Sequence, residues 1–354
     1  MTFTEKKSIF LSHSYTLSFT NRLHFKQTRL LSIKSVMKKP FALLFFFSLF
    51  AVSSAAQTSW NSVGQTMAGD LNTVFFVSSE KGWIGGDNGY LSFTTNGGTS
   101  WTKLQTTMTA NINEIYFRND ENGYILAGKQ VFATVNGSSW SEQKVLSAGN
   151  FIETEPELYS IRFADKKHGW IVGSVSKDDA VIDSLIVETK DGGQTWKRAT
   201  VPTKEELIHL DFVNENKGWI AGANGLILAT ADGGQTWQKQ KSDTISTIYN
   251  IDFRNETEGI AVGEKGLILQ TFDGGQTWKK LVTNFKNTFL RVGFSDDKTI
   301  WIAGRGGIIL RSTDKGATFT KQDSKVTNNL YGFYIDKKIG FAVGAKGTIL
   351  KYKK

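Results

Sequence analysis

The sequence predicts an all-β fold: a seven-bladed β-propeller of four-stranded antiparallel blades, closed by an N-terminal strand that completes the last blade. Two periodicities and one absence predict it. Trp60, Trp101, Trp140, Trp196, Trp237, Trp278 and Phe319 recur at separations of 41, 39, 56, 41, 41 and 41 residues. A second series, Trp83, Tyr124, Trp170, Trp219, Ile260, Trp301 and Phe341, runs alongside it. Two series at one period mean one repeated unit, and a period of roughly 20–50 residues marks solenoids and propellers. No stretch of the repeat region keeps a helical period, so helices are expected to be nearly absent.

The unit is clearest from Leu207: LIHLDF, a polar NENKG turn, WIAG, ANG, LILAT, ADGGQTW, then a charged tail. Each apolar run is short, β-branched or aromatic, and bounded by Gly, Asn or Asp, as strands joined by tight turns are. Four such strands per unit form a propeller blade, whose sheet buries both faces against its neighbours. The innermost strand begins at Leu71, Ile112, Leu158, Leu207, Ile248, Phe289 and Leu330, which sets the blade number. The last unit stops at LKYKK, before any DGGQTW, whereas TSWNSV around Trp60 has no blade before it. The N-terminal strand is therefore expected to supply the missing fourth strand and remove a free edge.

Ahead of that strand lies an address. Met37-Lys38-Lys39-Pro40, the apolar run Phe41–Val52 and the small residues Ser53–Ala56 read as a secretory signal peptide over 37–56, with Gln57 as the new N-terminus. The apolar run is too short for a membrane span, which leaves no transmembrane anchor after cleavage. Residues 1–36 read as a mis-assigned start extension or an unusually long leader, and 57–354 as one propeller. The expected location is the periplasm or the extracellular space. Eight of the 42 Lys/Arg and one of the 33 Asp/Glu precede Gln57, so the net charge of +9 falls to +2 in the mature part. Its basic pI is a property of the leader and gives no support for a nucleic-acid partner. Without cysteine there is no disulfide framework, thiol chemistry or Cys-ligated zinc.

The turn before the fourth strand follows Ser/Thr-x-Asp-x-Gly-x-Thr-Trp, the Asp box. Close copies carry Asp191 with Trp196, Asp232 with Trp237, and Asp273 with Trp278; weaker ones carry Asn96 with Trp101, Asn136 with Trp140, and Asp314 with Phe319. These are expected to be structural: the carboxylate or amide accepts turn N–H groups, glycine supplies positive φ, and the tryptophan covers the blade edge. The fuller unit, LxxIxFxxxxxGWxxGxxGxILxTxDGGxTW, resembles the photosystem II assembly and stability factor family from Gln57 to Lys354. That resemblance implies a soluble seven-bladed propeller that binds membrane-complex subunits during their assembly. It also implies the thylakoid lumen as the location if the organism is photosynthetic. Lys38-Lys39 departs from a twin-arginine signal.

Enzymatic alternatives fit less well. A sialidase, similar in its Asp boxes, would show an Arg-Ile-Pro motif and six blades, and this chain has neither. A glycosidase would need a carboxylate pair, for which Asp211 and Asp252 on adjacent inner strands are the candidates. His168 and His209 show no acidic ligand pattern, and the Gly-rich turns lie between strands instead of opening a helix, so no metal, nucleotide or other cofactor is expected. The reading is a monomeric, non-catalytic scaffold for a protein partner, with a carbohydrate ligand as the alternative.

The ligand face is placed opposite the Asp boxes, on the side of the second-to-third strand turns, where blade three has a longer turn from Ser174 to Ser184. Its centre is placed at the channel mouth, formed by the third residue of each inner strand. Those residues are Thr73, Glu114, Ser160, His209, Asn250, Arg291 and Gly332, with Tyr159, Tyr249 and Tyr331 at the adjacent second position. Unlike the Asp boxes, this ring differs from blade to blade, as an asymmetric ligand requires.

Overall fold

The computed structural model describes residues 59–65, 69–147 and 151–353; the leader and signal segment expected over 1–56 lie outside them. Seven four-stranded antiparallel sheets form the blades, and helical turns among the described residues are 3-10 only. Blade four shows the plan, with Leu207–Phe212 innermost, then Gly218–Gly222, Ile227–Thr230 and Gln238–Lys239 at the rim. Blade seven consists of Leu330–Ile335, Gly340–Gly344 and Thr348–Lys353, completed by Ser59–Gln65. Trp60 pairs with Tyr352 there and is fully buried against Trp301, Phe333 and Tyr352.

The two aromatic series meet on one ring. The sixth residue of each inner strand, Phe212 in blade four, stacks on Trp170 from the preceding blade at 4.6 Å and meets its own blade's Trp237 edge-on at 83°. Trp83, Phe117 and Trp140 repeat the set two joints earlier. Such pairs contribute roughly 0.5–1.5 kcal/mol beyond their area burial. The glycine before the second-strand tryptophan of blade four makes room for the inner-strand ring: a Cβ on Gly218 would stand 2.5 Å from Phe212. The periodic tryptophans thus hold blade to blade, with Trp83 and Trp219 donating Nε1–H to the carbonyls of Gly137 and Gly274 in the next blade's Asp-box turn.

The Asp boxes are turn braces. In blade four, Asp232 Oδ1 accepts from Thr236 N at 2.9 Å and Thr230 Oγ1 at 2.8 Å, while Oδ2 accepts from Thr236 Oγ1 at 2.6 Å. The same bonds recur at Asp191, Asp273 and Asp314, and Asn96 and Asn136 keep the bonds an amide oxygen can make. Hydrogen bonds from their threonines hold these aspartates below the usual carboxylate range, at about 2 for Asp191 and Asp314. Asp232→Ala is expected to lower unfolding stability by about 1–2 kcal/mol, since it removes turn bonds without emptying core space. Urea unfolding checks this, and an unchanged midpoint would show that the turn holds without its brace.

Blade three departs from the others in form. The longer turn expected from Ser174 to Ser184 is a continuation of the sheet: Glu155–Phe163, Gly169–Lys177 and Ala180–Thr189 all run on past the length of their counterparts. Asp178 and Asp179 form the tip with φ of +50° and +63°, the positive pair a tight two-residue hairpin requires. Pro156 sits on the inner strand of this extension and withholds an N–H there, which blunts a free sheet edge.

Candidate functional site

Every inner strand carries a bulge after its first residue, or after Leu158 in the lengthened strand of blade three; in blade four Leu207 faces Gly222 but His209 faces Ala221. The bulge sets the phase of everything that follows. Residues four and six turn into the core, as with Ile251 and Phe253, and residues three and five project toward the next blade.

The third residues form an inter-blade girdle. Thr73 Oγ1 accepts from Ile115 N (3.3 Å), Glu114 Oε2 from Ile161 N (2.6 Å), Ser160 Oγ from Leu210 N (3.4 Å) and Asn250 Oδ1 from Val292 N (3.0 Å). In each case a third-position side chain caps the amide of the fourth residue in the following blade. The fifth residues repeat the device one step along, as Tyr116 OH accepts from Phe163 N, Asp211 Oδ2 from Phe253 N (2.8 Å) and Asp252 Oδ2 from Phe294 N (3.1 Å). Thr73, Ser160, His209 and Asn250 are buried in consequence. The ring that the sequence places at the mouth therefore lies within the wall, and most of its polar atoms are committed to the joints between blades.

Charge gathers on one side of this wall. Arg162 pairs with Glu114 Oε1 at 2.7 Å, donates to Ile161 O at 2.6 Å, and reaches His209 Nε2 at 3.0 Å. Burial works against its charge, but Glu114 and Asp211 outweigh it. Burial and the two guanidinium charges of Arg162 and Arg291 push His209 well below its ordinary range, so the imidazole is neutral. Since Arg162 only donates, Nε2 accepts and Nδ1 carries the proton. Burial raises Asp211, against the pull of Arg162, and burial together with Asp211 raises Asp252. The two candidate glycosidase carboxylates thus each give one oxygen to a neighbouring blade. Glu114 and Arg162 formed a pair that residue spacing gave no means of seeing.

The three tyrosines occupy the second, bulged positions and are half-buried at the rim. Tyr159 OH lies 3.3 Å from Ser174 Oγ and 3.4 Å from Glu157 Oε2, Tyr249 OH donates to Glu264 Oε1 at 3.3 Å, and Tyr331 OH accepts from Asn329 Nδ2 at 3.3 Å. Burial followed by carboxylate neighbours raises all of Tyr159, Tyr249 and Tyr331, Tyr249 to about 12. Burial also raises Glu206, which lies against Tyr159 and Glu157. Tyr159 stands beside blade three's extension, within 3.3 Å of Ser174, and the second position, like the third, differs from blade to blade. His168 lies elsewhere, on a surface turn paired with Asp165 at 2.6 Å. Among the described residues no group of three or more His, Cys, Asp or Glu is placed to hold a metal ion.

A closed ring of seven such blades with braced Asp-box turns places the chain among the Asp-box propellers. It belongs to the family described as photosynthesis system II assembly factor YCF48, which it matches over residues 149–244, 236–289 and 281–353. It is 35% identical over 79 residues to the photosystem II assembly lipoprotein Ycf48 of Synechococcus sp. (strain CC9902); the match spans 21% of each chain, about a fifth of that relative's length. A solved structure of YCF48 bound to D1 peptide superposes with a TM-score of 0.67 at 19% identity, over 84% of this chain and 95% of that one. The GH74 xyloglucanase from Xanthomonas campestris also superposes, with a TM-score of 0.61 at 11% identity, over 83% of this chain and 53% of that one. At these identities the structural likeness is one of fold.

Proposed function

We propose that this protein is exported by the 37–56 signal and acts as a non-catalytic scaffold for a protein subunit of a membrane complex, which it grips at the tyrosine-bearing rim beside the blade-three extension. The observation that carries this is family membership: the chain matches an assembly-factor family over more than half its length, and a solved YCF48 structure is bound to a D1 peptide. The geometry supports the same face. Tyrosine is favoured at interfaces because it offers large, rigid contact area with a polar tip, and the extension raises a two-sided sheet next to it. The commitment of Asp211 and Asp252 to the girdle favours binding over glycoside hydrolysis.

The test is capture from the native envelope with the full mature protein and with a variant in which Val175–Asp183 is replaced by an Asn-Gly turn, which leaves Ser174 opposite Ser184. Wild type is expected to retain a membrane-complex subunit and the shortened protein to lose at least tenfold of it while melting as a ring. Equal capture by both would remove the extension from the binding face, and retention of polysaccharide in place of protein would overturn the scaffold reading.

A further inference from the structure

The girdle has a gap. Between blades one and six every joint carries a side-chain bond from position three or five to the next blade's inner strand; among the described residues none runs from blade seven to blade one, where Gly332 packs directly against Thr73 and Tyr334 bonds Asp336 of its own blade, and none runs from blade six to blade seven. Position five is Gly293, without a side chain, and position three is Arg291. At the equivalent place in the preceding joint Asn250 presents an acceptor to Val292 N. Arg291 has only donors to present. The common register puts the Phe333 amide of blade seven on the same channel edge as Val292, the amide that Asn250 caps one joint earlier.

The recorded bond of the Arg291 guanidinium is from Nη1 to Leu290 O of its own strand, at 2.9 Å, and no carboxylate lies within ion-pair distance among the described residues. Both Glu114 oxygens are taken, one by Arg162 and one by Ile161 N, and Asp211 and Asp252 are bonded to Phe253 and Phe294. Burial opposes the Arg291 charge, and Glu114 favours it only from beyond ion-pair distance, against Arg162. A directly bonded anion would therefore stabilise the guanidinium further, and carboxylate matches its planar fork best.

We propose that the channel binds a small carboxylate at the joint between blades six and seven, held by the Arg291 guanidinium and the Phe333 amide, in the place where other joints have a side-chain acceptor. Acetate is the probe. At constant ionic strength, replacing chloride with acetate is expected to raise the melting temperature of wild type, increasing with the logarithm of concentration above the dissociation constant. Arg291→Asn supplies the acceptor that Asn250 supplies one joint earlier, so it is expected to melt at or above acetate-loaded wild type and to show no acetate dependence. Saturation-transfer NMR on wild type reads the same binding directly, whatever the variant's stability. Absence of transfer to acetate, or an equal acetate shift in wild type and Arg291→Asn, would overturn the site.

Discussion

Deleting Ser59–Gln65 is expected to convert the closed ring into an open, self-associating chain. The strand contributes a full edge pairing to Thr348–Lys353 and the buried Trp60, which fills a box of Trp301, Phe333 and Tyr352. Trp60→Ala alone should cost about 3–5 kcal/mol, the usual range for emptying a large aromatic site. Full deletion should cost more, because it also exposes Thr348–Lys353 as an unpaired edge. Denaturant unfolding and size-exclusion chromatography read the two effects. A truncated protein that stays monomeric and unfolds at the wild-type midpoint would mean that the ring does not depend on this clasp.

Glu114→Ala is expected to be the most damaging change inside the channel, at about 3–5 kcal/mol, because it strands a half-buried guanidinium and an inter-blade amide together. Both lose their acceptor at once, Arg162 at 2.7 Å and Ile161 N at 2.6 Å. Glu114→Gln keeps an acceptor for the amide and should lose less. Adding Arg162→Met to Glu114→Ala removes the stranded charge and should restore part of the stability, giving a coupling that a double-mutant cycle measures. Independent, additive effects of the two substitutions would show that the pair is not coupled in the folded protein.

The ring, its blade number and its clasp were legible because they rest on local chemistry repeated many times. Trp237 announces a blade edge, Asp232 announces a turn, and the lone Trp60 announces a strand without a blade. The role of the third residues was not legible in the same way. Period-two alternation separated Glu114 and His209 from the apolar positions, but it could not say whether they face the channel or the next blade. That depends on the bulge after the first residue and on the distance between inner strands, which no single blade encodes. The blade-three insertion was visible as extra length between Ser174 and Ser184, whereas its extended form depends on Glu155–Leu158 running beside it, well upstream in the chain. The asymmetry of the girdle, with Arg291 and Gly293 at one joint, became meaningful only beside the bonds made elsewhere.

The clasp also fixes an order of events in time. Trp60 lies at the beginning of the described chain and its partner Tyr352 at the end, so the first strand to be synthesised has no edge to join until the last has been made. Every other blade closes on strands that follow one another within a single unit. Contacts of such long sequence separation form late, because the entropy of closing the loop must be met before the pairing rewards it. Until Thr348–Lys353 has been made, the clasp strand waits with its tryptophan exposed. Ring closure is thereby the step that reports completion: a chain cut short anywhere before Thr348 carries every blade signal up to the cut and still cannot shut.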